Sequence, residues 1–472
     1  TVSTSVAKIR SLPPMLIAVI FCAPVAALTL VAFPAPTAPD ANAWLSWAHQ
    51  LSGGNPIDFH YGPSWKPLPV VLSLPAALFS TATASLFWLW CVRIAALFVS
   101  CLLFAIATRN GSRLAGVTAA ALPLAIPPWL NIALVGDSEA VVMALGLGAI
   151  LAHLGGRSRL TIILLTIASL ARPELWPMLG AYAIWRVTLR EPRAVATAAI
   201  SAAVVLGGWF LLPWLVAAGH QTQFGMPSGH SLQNATITTV WHNFLAVLPP
   251  KAWILIVVGF VGAVLRRDRV TLLVAALAAL LVAEITLLWA LPLDVSASGY
   301  APVVRYFAPV GILFCVIAGG GADTIKSMLP AGRLQLYASI AILALVALSI
   351  WSSAAENRRQ VDRYRTVRLA SEQAVSAVNL AGGTKRLEPC LPFTVSSFSA
   401  IGWSITRRLD LPLSATDTAP RTPSVALNYT GGSWVLGARP PTDTRGRQVL
   451  ASTDLWQVIY YPGNRGCLLT AP

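Results

Sequence analysis

The feature that most constrains this chain is a succession of apolar runs, each close to the roughly 20 residues a helix needs to cross a bilayer. They fall at 12–33, 84–107, 113–133, 138–154, 159–173, 174–188, 194–217, 251–265, 270–292, 304–322 and 333–352, the pair between 159 and 188 being short enough to be partly re-entrant. Only 11% of the 472 residues are charged. Soluble domains carry roughly 25%, so the runs cannot be the interior of a large soluble protein. The expected fold is an α-helical multi-pass membrane protein with about 11 transmembrane helices. The first run has no small-residue cleavage site after it and reads as a retained helix.

The cations orient the helices. With the N-terminus inside, the inner loops hold Lys8, Arg10, Arg109, Arg113, Arg157, Arg159, Arg186, Arg190, Arg193, Arg266, Arg267, Arg269, Lys326 and Arg333, against the acids Glu191, Asp268 and Asp323. The outer loops between runs hold only Lys66, Arg172, Lys251 and Arg305, with more acids than cations. This is the positive-inside pattern, and every loop agrees with it. The net charge of +15 is thereby explained by topology, with the remainder in the tail, and calls for no nucleic-acid partner.

Residues 1–352 therefore read as a transmembrane domain and 353–472 as an extracytoplasmic soluble domain. The tail has no spanning run and many Pro, Gly and Thr residues. Ala354 to Asn379 reads as a helix, and SVALNY (424–429), SWVLGA (433–438) and LWQVIYY (455–461) read as strands between turns, giving a small α/β unit. Of six cysteines, only Cys390 and Cys467 lie in this tail, and an oxidising compartment favours a disulfide between them.

Function is sought on the outer face, where acids do nothing for topology. Asp40, Asp58, His60, Lys66, Asp137, Glu139, Arg172, Glu174, Asp294 and Arg305 gather there from five loops. In PDANAWLSWAHQLSGG (39–54), Trp44, Trp47 and Leu51 recur at helical spacing, as in a helix lying in the headgroups. Asp40 opens that helix and reads either as its N-cap or as a catalytic carboxylate. HYGPSWKP (60–67) gathers His60, Tyr61, Trp65 and Lys66; the rings suit interfacial anchors. Lysine is rare here, five against 28 arginines, and Lys66 stands where orientation does not want a cation. Asp137 and Glu139 open the fourth run, where the helix dipole favours acids whatever else they do. Arg172 and Glu174, in ARPELWP (171–177), read either as a structural pair or as a phosphate grip. Arg93 and Glu284 lie deeper and should each face the bundle and find a partner.

The order Asp40, aromatic helix 42–52, Trp65-Lys66-Pro67-Leu68, then Gly136-Asp137-Ser138-Glu139 resembles the GT-C class of integral-membrane glycosyltransferases that use polyprenyl-phosphate sugars. The aminoarabinose transferases of lipid A and the protein O-mannosyltransferases are members. Those families place an acid after the first span, a Lys-Pro element after surface helices, and a further acid at the fourth span. Arg93 falls where members often carry an arginine, and ARPELWPMLGAYAIW looks like a segment of actinobacterial relatives. The resemblance has motif support over roughly 1–190. It implies a polyprenyl-phosphate sugar donor, a glycan, lipid or protein acceptor, and a site facing membrane lipids on the outer side of a bacterial plasma membrane. Asp40 is followed by Ala41 and Asn42 instead of the family's paired acids, so no cofactor is assigned and a divalent cation stays an open alternative.

Transfer with inversion needs a base for the acceptor hydroxyl and positive charge at the departing phosphate, but no second acid, because phosphate is already a good leaving group. The resemblance makes Asp40 the base and Lys66 the phosphate ligand. His60, Tyr61, Arg172, Glu174, Asp137, Glu139 and Arg305 complete the substrate-binding set. Three rivals are a lipid-linked sugar flippase, whose polar path would cross the bilayer, an assembly or scaffold subunit led by its outer tail, which needs Asp40 and Lys66 far apart, and a lipid-phosphate phosphatase, suggested by PSGH in MPSGHS (226–231). The phosphatase pattern lacks its upstream lysine, at Leu165, and its downstream Ser-Arg-histidine element.

Overall fold

Prolines decide where many of the helices begin. In the computed structural model, which describes residues 14–57, 59, 65–217, 237–290, 304–395, 399–409, 411, 416–417, 425–430 and 448–461, α1 covers Pro14–Ala32 and four later helices start on a proline. They are α2 (Pro39–Ser52), α3 (Pro67–Ala77), α6 (Pro127–Val135) and α13 (Pro250–Arg266). A proline there loses no hydrogen bond, and its fixed φ suits the first turn. The others before the tail are α4 (Thr81–Asn110), α5 (Arg113–Ala121), α7 (Glu139–Leu154), α8 (Ser158–Ser169), α9 (Trp176–Thr188), α10 (Ala194–Leu206), α11 (Leu212–Val216), α12 (Ile237–Leu245), α14 (Arg269–Ala290) and α15 (Val304–Ser327). The tail is entered on α16 (Arg333–Leu380).

Each expected apolar run contains a helix, but not every helix is a full span. Among the described residues six helices are long and apolar enough to cross a membrane, or eight if two bent pairs each count as one. The run at 113–133 is broken: the α5 segment and α6 meet at 73°. Ile126, held between Pro123 and Pro127, adopts extended backbone (φ −102°, ψ 95°), as a residue preceding proline tends to. α13 and α15 pack backbone to backbone; a Cβ at Gly259 would lie 1.9 Å from the Ile317 carbonyl oxygen. Small residues at such a crossing are what lipid-embedded helices use to approach closely.

The tail departs from expectation in its junction. The run 333–352 and the helix 354–379 are one helix of 48 residues, about 72 Å long. No proline or glycine interrupts Arg333–Leu380, so nothing breaks the helix where its composition turns polar. Beyond it come α17 (Gly383–Leu387), β1 (Phe393–Val395), α18 (Ser399–Arg408), β2 (Thr416–Asp417), β3 (Val425–Tyr429), β4 (Gln448–Ser452) and β5 (Trp456–Tyr460). The sheet order is β2-β1-β3-β5-β4, with β1 parallel to β2 and β3, and β5 antiparallel to β3 and β4. Ala370, Ala374 and Ala377 of α16 pack on Phe393, Leu427 and Trp456 to form its core. Cys390 is buried and disulfide-bonded. Its expected partner Cys467, like the strand expected at 433–438, lies outside the described residues.

Candidate active site

α1 ends at Ala32, and an extended stretch carries the chain to Asp40, the second residue of α2. Arg93, in the middle of α4, holds that exit in place. Its guanidinium donates to the carbonyls of Phe33 (2.9 Å) and Leu134 (3.1 Å) and to the Thr29 hydroxyl (3.3 Å). Its partners are thus the orphan carbonyls at the ends of α1 and α6, where a cation is favoured. Ala38 N–H donates to the Val135 carbonyl at 2.6 Å, so the turn before Asp40 lies against the turn before Asp137.

Gly136 makes the second turn. It caps α6 in the left-handed region (φ 83°), and its carbonyl accepts from Trp88 Nε1 at 2.7 Å. A Cβ there would meet Leu89 at 2.9 Å. The backbone conformation and the space both require glycine. Asp137, Ser138 and Glu139 follow, all buried.

Arg305, in the first turn of α15, bridges the two acids, reaching Asp40 at 3.2 Å and Asp137 at 3.6 Å. Arg172 is shared by Glu139 and Glu174; it donates to the Glu174 carboxylate from Nη2 at 2.7 Å and from Nε at 3.0 Å. The ring of Tyr306 lies 5.2 Å from each guanidinium, joining the two clusters. Lys66, just before α3, completes the set: Nζ donates to Ser138 Oγ at 3.3 Å and sits 4.6 Å over the Trp44 ring. Among the described residues no carboxylate is within ion-pair distance of Lys66, though Glu139, Asp40 and Glu174 act on it from further off. Burial, reinforced by Arg172, lowers its pKa from the ordinary lysine value. Burial likewise pushes the Asp137 carboxyl up to about 7, against the pull of Arg305.

The structure therefore brings together Asp40, Lys66, Asp137, Glu139, Arg172, Glu174 and Arg305. His60 and Tyr61, like Asp58, Asp294 and the MPSGHS segment, lie outside the described residues. Two expectations are corrected. The α2 tryptophans do not lie in headgroups: Trp44 and Trp47 are 1% and 0% exposed, inside a cage with Trp88, Phe59 and Trp65. Trp65 is no interfacial anchor either, being fully buried with Nε1 donating to the Gly208 carbonyl at 2.9 Å. Helical spacing marks an apolar face without saying whether lipid or protein covers it. Tyr306 was not anticipated; the signal was its place beside Arg305 at a helix start.

A cavity of about 490 Å³ opens beside Arg172, Glu174 and Tyr306 and continues along α7, past Val142, Gly146 and Ile150, to His153. Its walls are almost entirely apolar, and it follows roughly 16 Å of helix. Glu284 falls on the helical stripe of α14 that lines it through Leu273, Leu277, Leu280 and Leu281. One Glu284 carboxylate oxygen is buried with no hydrogen-bond partner among the described residues. Among those residues no group of three His, Cys, Asp or Glu side chains is arranged to hold a metal ion.

No family model matches the chain, and no curated protein matches it. Among solved structures it is similar to ArnT from Cupriavidus metallidurans bound to undecaprenyl phosphate, with 15% identity, a TM-score of 0.57, and 96% of this chain and 99% of that one covered. The apo state of the same ArnT aligns with a TM-score of 0.53 at 14% identity, covering 93% and 97%. Almost the whole length of both chains is aligned, transmembrane and tail portions alike, so the chain has a GT-C-like fold of the ArnT kind.

Proposed function

We propose that this protein is an integral-membrane glycosyltransferase. It moves a sugar, with inversion, from a polyprenyl-phosphate donor to an envelope glycan, lipid or protein acceptor on the outer face of a bacterial plasma membrane. The observation that carries the reading is an apolar groove along α7 that ends at a buried cluster of cations and carboxylates. A lipid phosphate has the same division: a long apolar chain and one anionic head. The ArnT structure with undecaprenyl phosphate supports the same ligand class by fold. The arginine-lined loops support a cytoplasmic N-terminus and an outward-facing site.

Each residue has work to do in such a reaction. Asp40, partly exposed and paired with Arg305, takes the acceptor hydroxyl proton as the oxygen bonds to the anomeric carbon. The bond from that carbon to the phosphate oxygen breaks, and its electron pair leaves on the phosphate. Lys66, a cation without a carboxylate partner among the described residues, receives that charge. Arg172 and Arg305 support it, with Glu139, Glu174 and Asp137 fixing their guanidinium planes. His60 and Tyr61 remain assigned to the head group on their place in the sequence. Removing one donor at a developing oxyanion typically lowers the rate by about 10²–10³.

The apolar lining favours transfer over flipping, since a flippase must pass a polar head across the bilayer. The test is release of polyprenyl phosphate and sugar transfer by the purified chain in vesicles carrying a polyprenyl-phosphate sugar. Asp40→Ala and Lys66→Ala should each abolish it while the protein still folds. Near-native turnover by either variant removes that residue from the mechanism; sugar translocation without bond cleavage removes the mechanism altogether.

A further inference from the structure

The tail reaches into the membrane portion through one buried cation. Arg407, on the last turn of α18, is 6% exposed. Its Nε donates to Asn42 Oδ1 at 2.7 Å, its Nη1 donates to the Ser85 hydroxyl, and its own carbonyl accepts from Thr81 Oγ1 at 3.1 Å. Among the described residues no carboxylate lies within ion-pair distance of it; burial, with Arg408 beside it, lowers its pKa to about 10. A buried charge held only by neutral oxygens is costly, so stability of the tail alone is a poor account of it.

What it holds is the start of α2. Asn42 Oδ1 also accepts from the Thr37 hydroxyl, and Asn42 Nδ2 donates to the Thr37 carbonyl at 3.2 Å. These bonds close the turn 37–42 around Asp40. The same turn is tied to Val135 through Ala38 N–H, and the far end of that tie is pinned by α16. There Ser353 donates to the Ala125 carbonyl at 2.9 Å, Asn357 to the Leu124 carbonyl at 3.3 Å, and Tyr364 to Asn131. Residues beyond 352 thus grip both sides of the gap that Arg305 spans.

We infer that Arg407 is a positioning residue for Asp40: through Asn42, the C-terminal unit sets the carboxylate that takes the acceptor proton. The inference rests on the proposed function for its chemistry, but its geometric part does not. Misplacing a catalytic group by about 1 Å can lower rates on the order of 100-fold.

The experiment uses the full chain in vesicles, as wild type, Arg407→Gln and Asn42→Ala, the second breaking the same link from the membrane side. Three quantities are read: kcat and donor KM with a polyprenyl-phosphate sugar, binding of sugar-free polyprenyl phosphate, and hydrogen exchange over residues 37–46. The expected result is a fall in kcat of about 10- to 100-fold, lipid-phosphate binding within about twofold of wild type, and faster exchange in the first turn of α2. In an Asp40→Asn background, where transfer is already lost, Arg407→Gln should still speed exchange over residues 37–46. Unchanged exchange over 37–46 in both variants overturns the inference, as does a loss shared equally between kcat and lipid-phosphate binding. If exchange responds while the wild type transfers no sugar, the positioning stands and the transferase reading falls.

Discussion

Replacing Lys66 with methionine separates a functional lysine from a structural one, because the two readings predict opposite signs for stability. Lys66 is 7% exposed, and its Nζ contacts the Ser138 hydroxyl and the Trp44 ring. Neither neutralises it, and burial lowers its pKa. For a cation whose folded pKa is depressed, the folded state is disfavoured wherever the unfolded chain would be protonated, which includes neutral pH. Methionine keeps most of the volume and removes the desolvation cost, so the variant should unfold at a higher temperature than wild type. Against a bound phosphate the balance reverses. Two opposite charges about 4 Å apart attract by roughly 4 kcal/mol at the effective dielectric of a protein surface, and more in a drier site. Losing one such donor as charge develops on the leaving oxygen lowers kcat by about 10²–10³. Thermal unfolding of the detergent-solubilised protein and sugar transfer in vesicles read the two effects. A variant that is less stable and fully active would refute the reasoning, since it would make Lys66 a packing residue.

Four further outcomes are expected. Gly146 lines the groove and a Cβ there meets nothing within 4 Å, so Gly146→Phe should block binding of polyprenyl phosphate without unfolding the chain, as read by lipid binding and circular dichroism. Gly136→Ala should cost about 1–2 kcal/mol in stability, from the positive φ and the Leu89 contact, and displace Asp137 enough to lower transfer. Arg305→Lys cannot reach Asp40 and Asp137 together with one ammonium, and kcat should fall by about tenfold or more with donor binding less affected. Asp137, raised to about 7, should lose its proton as pH rises through that value; the added negative charge weakens phosphate binding on the alkaline side, and Asp137→Asn should flatten that dependence in a pH series of lipid-phosphate binding.

The sidedness of the charges made most of the site legible. Lys66, Arg172 and Arg305 are among the few cations expected on the outer side, and the residues found around them are acids expected on that same side. Apolar run length placed the helices because a lipid-spanning helix is written continuously along the chain. What could not be read was which partner each side chain would choose. Arg172 carries Glu139 as well as its neighbour Glu174, and no local pattern announces the former. The spacing of the α2 tryptophans suits lipid as well as protein, because a buried face and a lipid-facing one have the same composition. Arg407 and Asn42 are 365 residues apart, and an arginine in a polar tail looks like any other solvated charge.

The charges themselves set a condition on how such a site can take an anion. Among the described residues the cluster opposes the three cations Lys66, Arg172 and Arg305 with the four carboxylates Asp40, Asp137, Glu139 and Glu174. Fully ionised, it would carry an excess negative charge and repel a phosphate. Asp137 is the member best placed to relieve this: it is 3% exposed, and burial holds its carboxyl near neutrality. A protonated Asp137 leaves Arg305 paired with Asp40 alone, balances the cluster, and leaves the charge of Lys66 available to the phosphate. Donor binding and proton uptake then become one event, by linkage. Proton uptake measured calorimetrically in buffers of different ionisation enthalpy should therefore accompany polyprenyl-phosphate binding near pH 7 and vanish in Asp137→Asn. If wild type and variant take up protons equally, the balance is made by some other group.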